Sequence, residues 1–122
     1  MIRTVLLAAA LALPLPAAAS EWMGSFYGVG GGFNGGFTST WQHGKIRGDL
    51  TSLFYGTTDQ NIGALPFKGT YSVKPNGQVS GKITNIPYFG GKFTGWRGNG
   101  QMNGSFKNGG HFDATRTSKG KK

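Results

Sequence analysis

His111 and Asp113 stand two residues apart near the carboxyl end of the chain, a spacing that puts both side chains on one face of a strand. With a serine brought alongside by the fold, they supply the residue types of a nucleophilic triad. Side chains two apart on a strand sit roughly 7 Å from each other, too far for the carboxylate to orient the imidazole directly. The wider inventory is equally thin: His43 and His111 are the two histidines, and Glu21, Asp49, Asp59 and Asp113 the four carboxylates. No two of them have a familiar metal-ligand spacing, and Asp49 and Asp59, merely the closest carboxylates in sequence, do not make a glycosidase pair. Cysteine is absent, which excludes a disulfide framework, a thiolate metal site, a cysteine nucleophile and a lipid-modified amino-terminal cysteine. The expectation is a protein without catalytic residues, metal or cofactor.

Two glycine-rich stretches invite a phosphate-binding reading. Gly30-Gly31-Gly32-Phe33-Asn34-Gly35 satisfies the glycine spacing of a dinucleotide-binding loop, but that chemistry needs a helix amino terminus behind the loop, and no helical pattern follows. A flexible loop or bulged hairpin is expected instead. Gly90-Gly91-Lys92 lacks both the upstream glycine and the following Ser or Thr of a P-loop, and reads as the start of a strand.

More informative are cations beside aromatics: Phe67-Lys68, Lys92-Phe93, Trp96-Arg97 and Phe106-Lys107. In a strand such neighbours point to opposite faces, which gives an aromatic core beneath a basic surface. If Phe93 faces inward, Trp96 faces outward with Lys92 and Thr94, a platform for a sugar ring, a base or a lipid headgroup. A kink after Gly95 would bury Trp96 instead. Lys45, Arg47, Lys68, Lys74, Lys82, Lys92 and Lys107 share the outer face by the same alternation. The candidate binding residues are therefore Trp96, Lys92, Arg97, Lys45, Arg47, Lys82 and Lys107. Such a face attracts polyanions such as anionic polysaccharide, lipopolysaccharide or nucleic acid, although a charged outer face also simply keeps a sheet soluble.

These side chains need strands to carry them, and composition supplies the material. All 23 glycines lie from Gly24 onward, and the 16 aromatics outnumber the Val, Ile and Leu residues beyond position 20, so the core is aromatic and small. Apolar and polar residues alternate with a period of two over 45–50, 67–74, 79–84, 102–107 and 111–115. Five asparagines precede glycine (Asn34, Asn76, Asn99, Asn103 and Asn108), and most of these dipeptides predict tight turns. Requiring bulky residues to share one face fixes the loop lengths, because a slip of one residue inverts a strand. A three-residue loop Pro75-Asn76-Gly77 sets Val73 opposite Val79, Tyr71 opposite Gly81 and Gly69 opposite Ile83. The loop Asn99-Gly100 sets Phe93 opposite Phe106, and the loop Asn108-Gly109-Gly110 sets Phe106 opposite Phe112.

With earlier strands at 25–29, 36–41 and 44–50, the chain predicts an all-β fold. It is a small antiparallel up-and-down meander of about eight short strands, forming a closed or nearly closed barrel, with a twisted open meander as the other arrangement. Inner-face glycines let strands bend and make room for rings. Segment 51–65 is the least regular and reads as a long loop or lid. An outer-membrane barrel is disfavoured, because strands of six to eight residues fall short of a span and lysines would face lipid or a tight lumen.

The address is at the amino terminus. Arg3, the apolar run from Val5 to Leu13, Pro14, Pro16 and Ala17-Ala18-Ala19 make a signal peptide over 1–19, too short an apolar stretch for a transmembrane anchor. The domain is then 20–116, followed by a disordered basic tail over 117–122. The whole chain carries a net charge of +9; without residues 1–19 it keeps 12 Lys and Arg against 4 Asp and Glu, or +8. The sequence thus describes an exported protein, periplasmic or extracellular, with no transmembrane span in its mature chain. Its expected role is to bind an anionic polymer or envelope component. The alternative is a structural or assembly subunit of a cell-envelope complex, appendage or extracellular matrix, with Trp22, Tyr27, Tyr55, Tyr88 and Phe89 covered by a partner.

Overall fold

The computed structural model describes residues 19–86 and 91–117. The signal-peptide segment apart from Ala19, Tyr88 and Phe89, and the tail beyond Thr117 lie outside the described residues.

The described chain folds into strands β1 (Ser20–Val29), β2 (Phe33–Gln42), β3 (Lys45–Tyr55), β4 (Thr58–Asp59), β5 (Leu65–Val73), β6 (Gln78–Ile83), β7 (Gly91–Gly98), β8 (Gln101–Phe106) and β9 (His111–Arg116). All pairings are antiparallel, and β4 is a two-residue flap on the end of β3. The other eight strands run β2-β1-β9-β8-β7-β6-β5-β3 around the sheet, and pairing of β2 with β3 closes it into a barrel. Closure removes the free edges that an open meander would expose.

Alternation explains which residues fill the interior. Phe26, Phe37, Phe67, Phe93 and Phe112 are buried, together with Trp22, Trp41, Ile46, Leu50, Val79 and Met102. Their rings meet edge to face, Phe93 with Phe112 at 5.5 Å and 88° and Phe37 with Phe67 at 6.2 Å and 76°. Such contacts contribute on the order of 1 kcal/mol each beyond the area they bury. The inner glycines are their complement: Gly48 lies directly opposite Phe67, and Gly81 directly opposite Phe93. A Cβ at Gly48 would stand 2.7 Å from the Phe67 ring, and one at Gly81 2.8 Å from the Phe93 ring. Each glycine is thus the space into which its cross-strand partner's ring folds.

The β5–β6 register is the expected one, with Val73 opposite Val79, Tyr71 opposite Gly81 and Gly69 opposite Ile83. Asn99-Gly100 is a two-residue turn with both φ angles positive, and it sets Phe93 opposite Phe106. The β8–β9 turn differs. Its loop is Lys107-Asn108-Gly109, the Phe106 amide donates to the Gly110 carbonyl, and Phe112 faces Gly104 rather than Phe106. In this register the Phe112 ring lies over the open position at Gly104 and still meets the Phe93 and Phe106 rings, at 5.5 and 5.6 Å. Because the shift is two residues, every side chain keeps its face.

Other expectations are corrected. The first three strands have 10, 10 and 11 residues, longer than read from the alternation. Residues 51–55 continue β3, and only the stretch after β4 is irregular. Asn34 and Asn103 lie inside strands, because neither dipeptide separates two runs that can fold back on each other. Gly30-Gly31-Gly32 joins β1 to β2 as a hairpin loop with a bulge before it, with no helix behind it.

Candidate functional site

Pairing brings the outward lysines into rows that run across the strands. Lys45 faces Thr70, Thr70 faces Lys82, and Lys82 faces Lys92. The Lys107 amide donates to the Lys92 carbonyl at 2.8 Å, which extends the row to the end of β8. At 4.7–4.9 Å per strand this row spans roughly 20 Å. Beside it Arg47 faces Lys68. All six cations are exposed. Thr70, Ser72, Ser80 and Thr94 join Lys82 and Lys92 around a shallow open depression on the same face. Ammonium and hydroxyl groups together offer hydrogen-bond donors suited to phosphate, sulfate or carboxylate oxygens.

Carboxylates are sparse on this side: Asp49, on the same face of β3 as Lys45 and Arg47, is the one acidic residue on β3, β5, β6 and β7. None occurs between Asp59 and Asp113, so β5, β6, β7 and β8 carry no acidic side chain. Glu21 and Asp113 are on β1 and β9, and β1 is the strand across the barrel from β6. The positive field is therefore concentrated over β5, β6 and β7, and Asp49 offsets part of the charge that Lys45 and Arg47 add on β3.

Trp96 stands at the margin of this face and is 53% exposed. It faces Gln78 and Asn103, and Thr94 separates it from Lys92 along β7. The strand does not kink after Gly95, so Phe93 points in and Trp96 out.

Arg97 departs from the expectation that it belongs to the outer basic face. The alternation that turns Trp96 outward turns Arg97 inward, where its guanidinium lies 5.4 Å from the centre of the Trp22 ring. Its Nη1 is covered and has no hydrogen-bond partner among the described residues. Burial pushes the Arg97 pKa below the usual guanidinium range, nearby Tyr71 acts the other way, and the like charge of Arg116 lowers it further. Parity alone would have assigned this side chain.

Trp22, read as a residue for a partner to cover, is instead 2% exposed. It belongs to a closed arrangement that sequence reading missed. Ser20 faces Trp41 and Trp22 faces Ser39 across β1 and β2. Trp22 Nε1 donates to Ser20 Oγ at 3.0 Å, and Trp41 Nε1 donates to Ser39 Oγ at 2.9 Å. The twofold Ser-x-Trp spacing was the available signal, since residues two apart share a face.

Inside the barrel lies an apolar cavity of about 50 Å³, walled by Phe37, Phe67, Phe93 and Phe112 and reaching Trp41. Ile83, Ile86 and Phe106, its half-buried lining residues, mark where it meets the surface.

His111 and Asp113 share the outer face of β9. His111 faces Ser105, but its ring packs against Tyr27 at 5.0 Å, and among the described residues no hydrogen bond joins it to a serine or carboxylate. No group of three or more His, Cys, Asp or Glu residues able to hold a metal ion occurs among the described residues. Comparison of the chain with protein-family models, curated proteins and solved structures returns no match. Fold and site together define a closed, aromatic-cored, eight-stranded β-barrel with one strongly basic side.

Proposed function

We propose that this protein is an exported, non-catalytic binding protein that holds an anionic polymer or envelope component (polysaccharide, lipopolysaccharide or nucleic acid) on the outer face of β3, β5, β6 and β7. One observation carries this reading: the directly opposed like charges Lys82–Lys92 and Arg47–Lys68. Each such pair disfavours the sheet by a few tenths to about 1 kcal/mol, and a hydroxyl at either position would hold the strands as well. Residues that oppose folding without packing or bonding anything are the kind kept for a ligand. Lys45, Lys107 and the exposed Trp96 extend the same surface, the ring offering a face for a sugar or a base. Arg97, which covers Trp22, has no part in it.

The test is binding of the purified protein to an anionic glycan, lipopolysaccharide and single-stranded DNA at graded salt. Binding at low salt that weakens steeply as salt rises, and weakens further in Lys82→Gln/Lys92→Gln, is expected. Failure to bind any of the three at low salt removes the proposal.

A second reading, an assembly subunit of the envelope, draws on Met23 and Tyr27, exposed on β1 on the side away from the cations. Size-exclusion chromatography with light scattering separates the two. A monomer that recovers no partner from envelope extracts counts against the assembly role.

A further inference from the structure

We infer that the barrel interior is a second binding site, which takes the end of an alkyl chain bearing one anionic group, with the lysines at its mouth holding that group. The inference does not rest on polymer binding by the outer face.

The cavity of about 50 Å³ is lined by hydrocarbon and aromatic groups, and the hydroxyl of Ser39, its one polar lining side chain, is engaged by Trp41 Nε1. Water placed there would find too few partners, whereas an apolar group loses nothing. The space is narrow, with aromatic walls on several strands, which suits the terminal carbons of a single chain rather than a fused ring system. Its mouth is equally specific. Ile83, Ile86 and Phe106 are the half-buried lining residues, at the end of β6, just beyond it, and at the end of β8.

Cations surround this mouth. Lys82 precedes Ile83, Lys107 follows Phe106, and Gly91, next to Lys92, faces Ile83. The Lys68 carbonyl accepts the Thr84 amide at 2.9 Å and the Lys68 amide donates to Asn85 Oδ1 at 2.8 Å, which holds β5 against the segment leading to Ile86. Among the described residues, four exposed lysines therefore neighbour the half-buried end of the apolar lining, and the sequence carries no carboxylate between Asp59 and Asp113. An uncharged hydrocarbon would use the cavity and waste the rim. A free anion would use the rim and waste the cavity. A carboxylate or phosphate on a single alkyl chain uses both, since the ammonium groups stay hydrated while the chain leaves water.

The experiment is calorimetric titration of the full protein with hexanoate, octanoate, decanoate and decanol, with the wild type and two variants. Ile86→Trp narrows the mouth from outside the strands, and Lys92→Gln/Lys107→Gln removes rim charge. One decanoate per barrel is expected, tightening by up to about fourfold per methylene until the cavity is filled. Decanol is expected to bind at least tenfold more weakly, Ile86→Trp to lose at least tenfold in decanoate affinity, and the lysine variant to lose affinity for decanoate but not for decanol. No decanoate binding, or affinity independent of chain length, overturns the proposal. Decanol binding as tightly as decanoate overturns the role of the rim. If Ile86→Trp fails to fold by circular dichroism, the chain-length series decides, with NMR shifts of the Ile83 and Ile86 methyls on decanoate addition as the second readout; unshifted methyls overturn the site. Trp96→Ala lies on the polymer face toward the end of β7 away from Gly91 and the mouth, so it is expected to lower polyanion binding and leave decanoate unaffected. The two proposals can thus fail separately.

Discussion

Lys82 and Lys92 face each other directly across the β6–β7 ladder, both exposed and with no carboxylate on either strand. Replacing Lys82 with glutamate converts a repulsive pair into an attractive one. The urea midpoint of Lys82→Glu is expected to rise at low salt by the equivalent of about 0.5–1 kcal/mol. Near 1 M salt, where the screening length falls to about 3 Å, the gain is expected to vanish. A variant less stable than the wild type at low salt would show that the pair is not repulsive in the folded protein.

Phe112 folds its ring over Gly104, where a Cβ would stand 2.6 Å from Cε1. Gly104→Val is expected to lose about 1–3 kcal/mol, and Gly81→Val, beneath Phe93, a similar amount. Ser105→Val, one residue away on the outer face, is expected to change stability by less than about 0.5 kcal/mol. Urea midpoints measured for the three variants check the assigned faces. Equal losses at Gly104 and Ser105 would contradict them.

The inner and outer faces were legible from the sequence because alternation has a period of two and the rings needed one side. The β5–β6 register was legible because glycine opposite a large residue selects one loop length. The β8–β9 register was not, since a shift of two residues preserves every face and alternation cannot choose between Phe106 and Gly104 as the partner of Phe112. The end of β3 escaped for a related reason. The ladder to β2 slips between Gly36 and Phe37, so an extra residue beside Leu50 reverses the alternation and hides the strand that continues to Leu53 and Tyr55. For Arg97 charge argues for the outer face and parity for the inner one, and parity prevails because the guanidinium can cover the Trp22 ring. The cavity depends on closure and on how the rings tilt, which no local pattern encodes.

Ser39 is 5% exposed and accepts the indole N–H of Trp41. Ser39→Ala is expected to cost about 1–3 kcal/mol, because it strands a buried donor as well as deleting a bond. Thermal and urea unfolding of Ser39→Ala and Ser39→Thr check this, with threonine expected to recover part of the loss by restoring an acceptor. An alanine variant as stable as the wild type would mean that water or another group satisfies Trp41.

The row formed by Lys45, Lys82, Lys92 and Lys107 is tested most directly by how affinity for a single-stranded DNA oligonucleotide depends on salt. If all four cations displace counterions, log affinity is expected to fall against log salt with a slope near about −3, at roughly −0.7 per phosphate neutralised. Lys82→Gln/Lys92→Gln is expected to flatten that slope by about 1–1.5, while Arg97→Gln leaves it unchanged. A slope that is flat in the wild type, or equally steep after both lysines are removed, would contradict polyanion binding by this face.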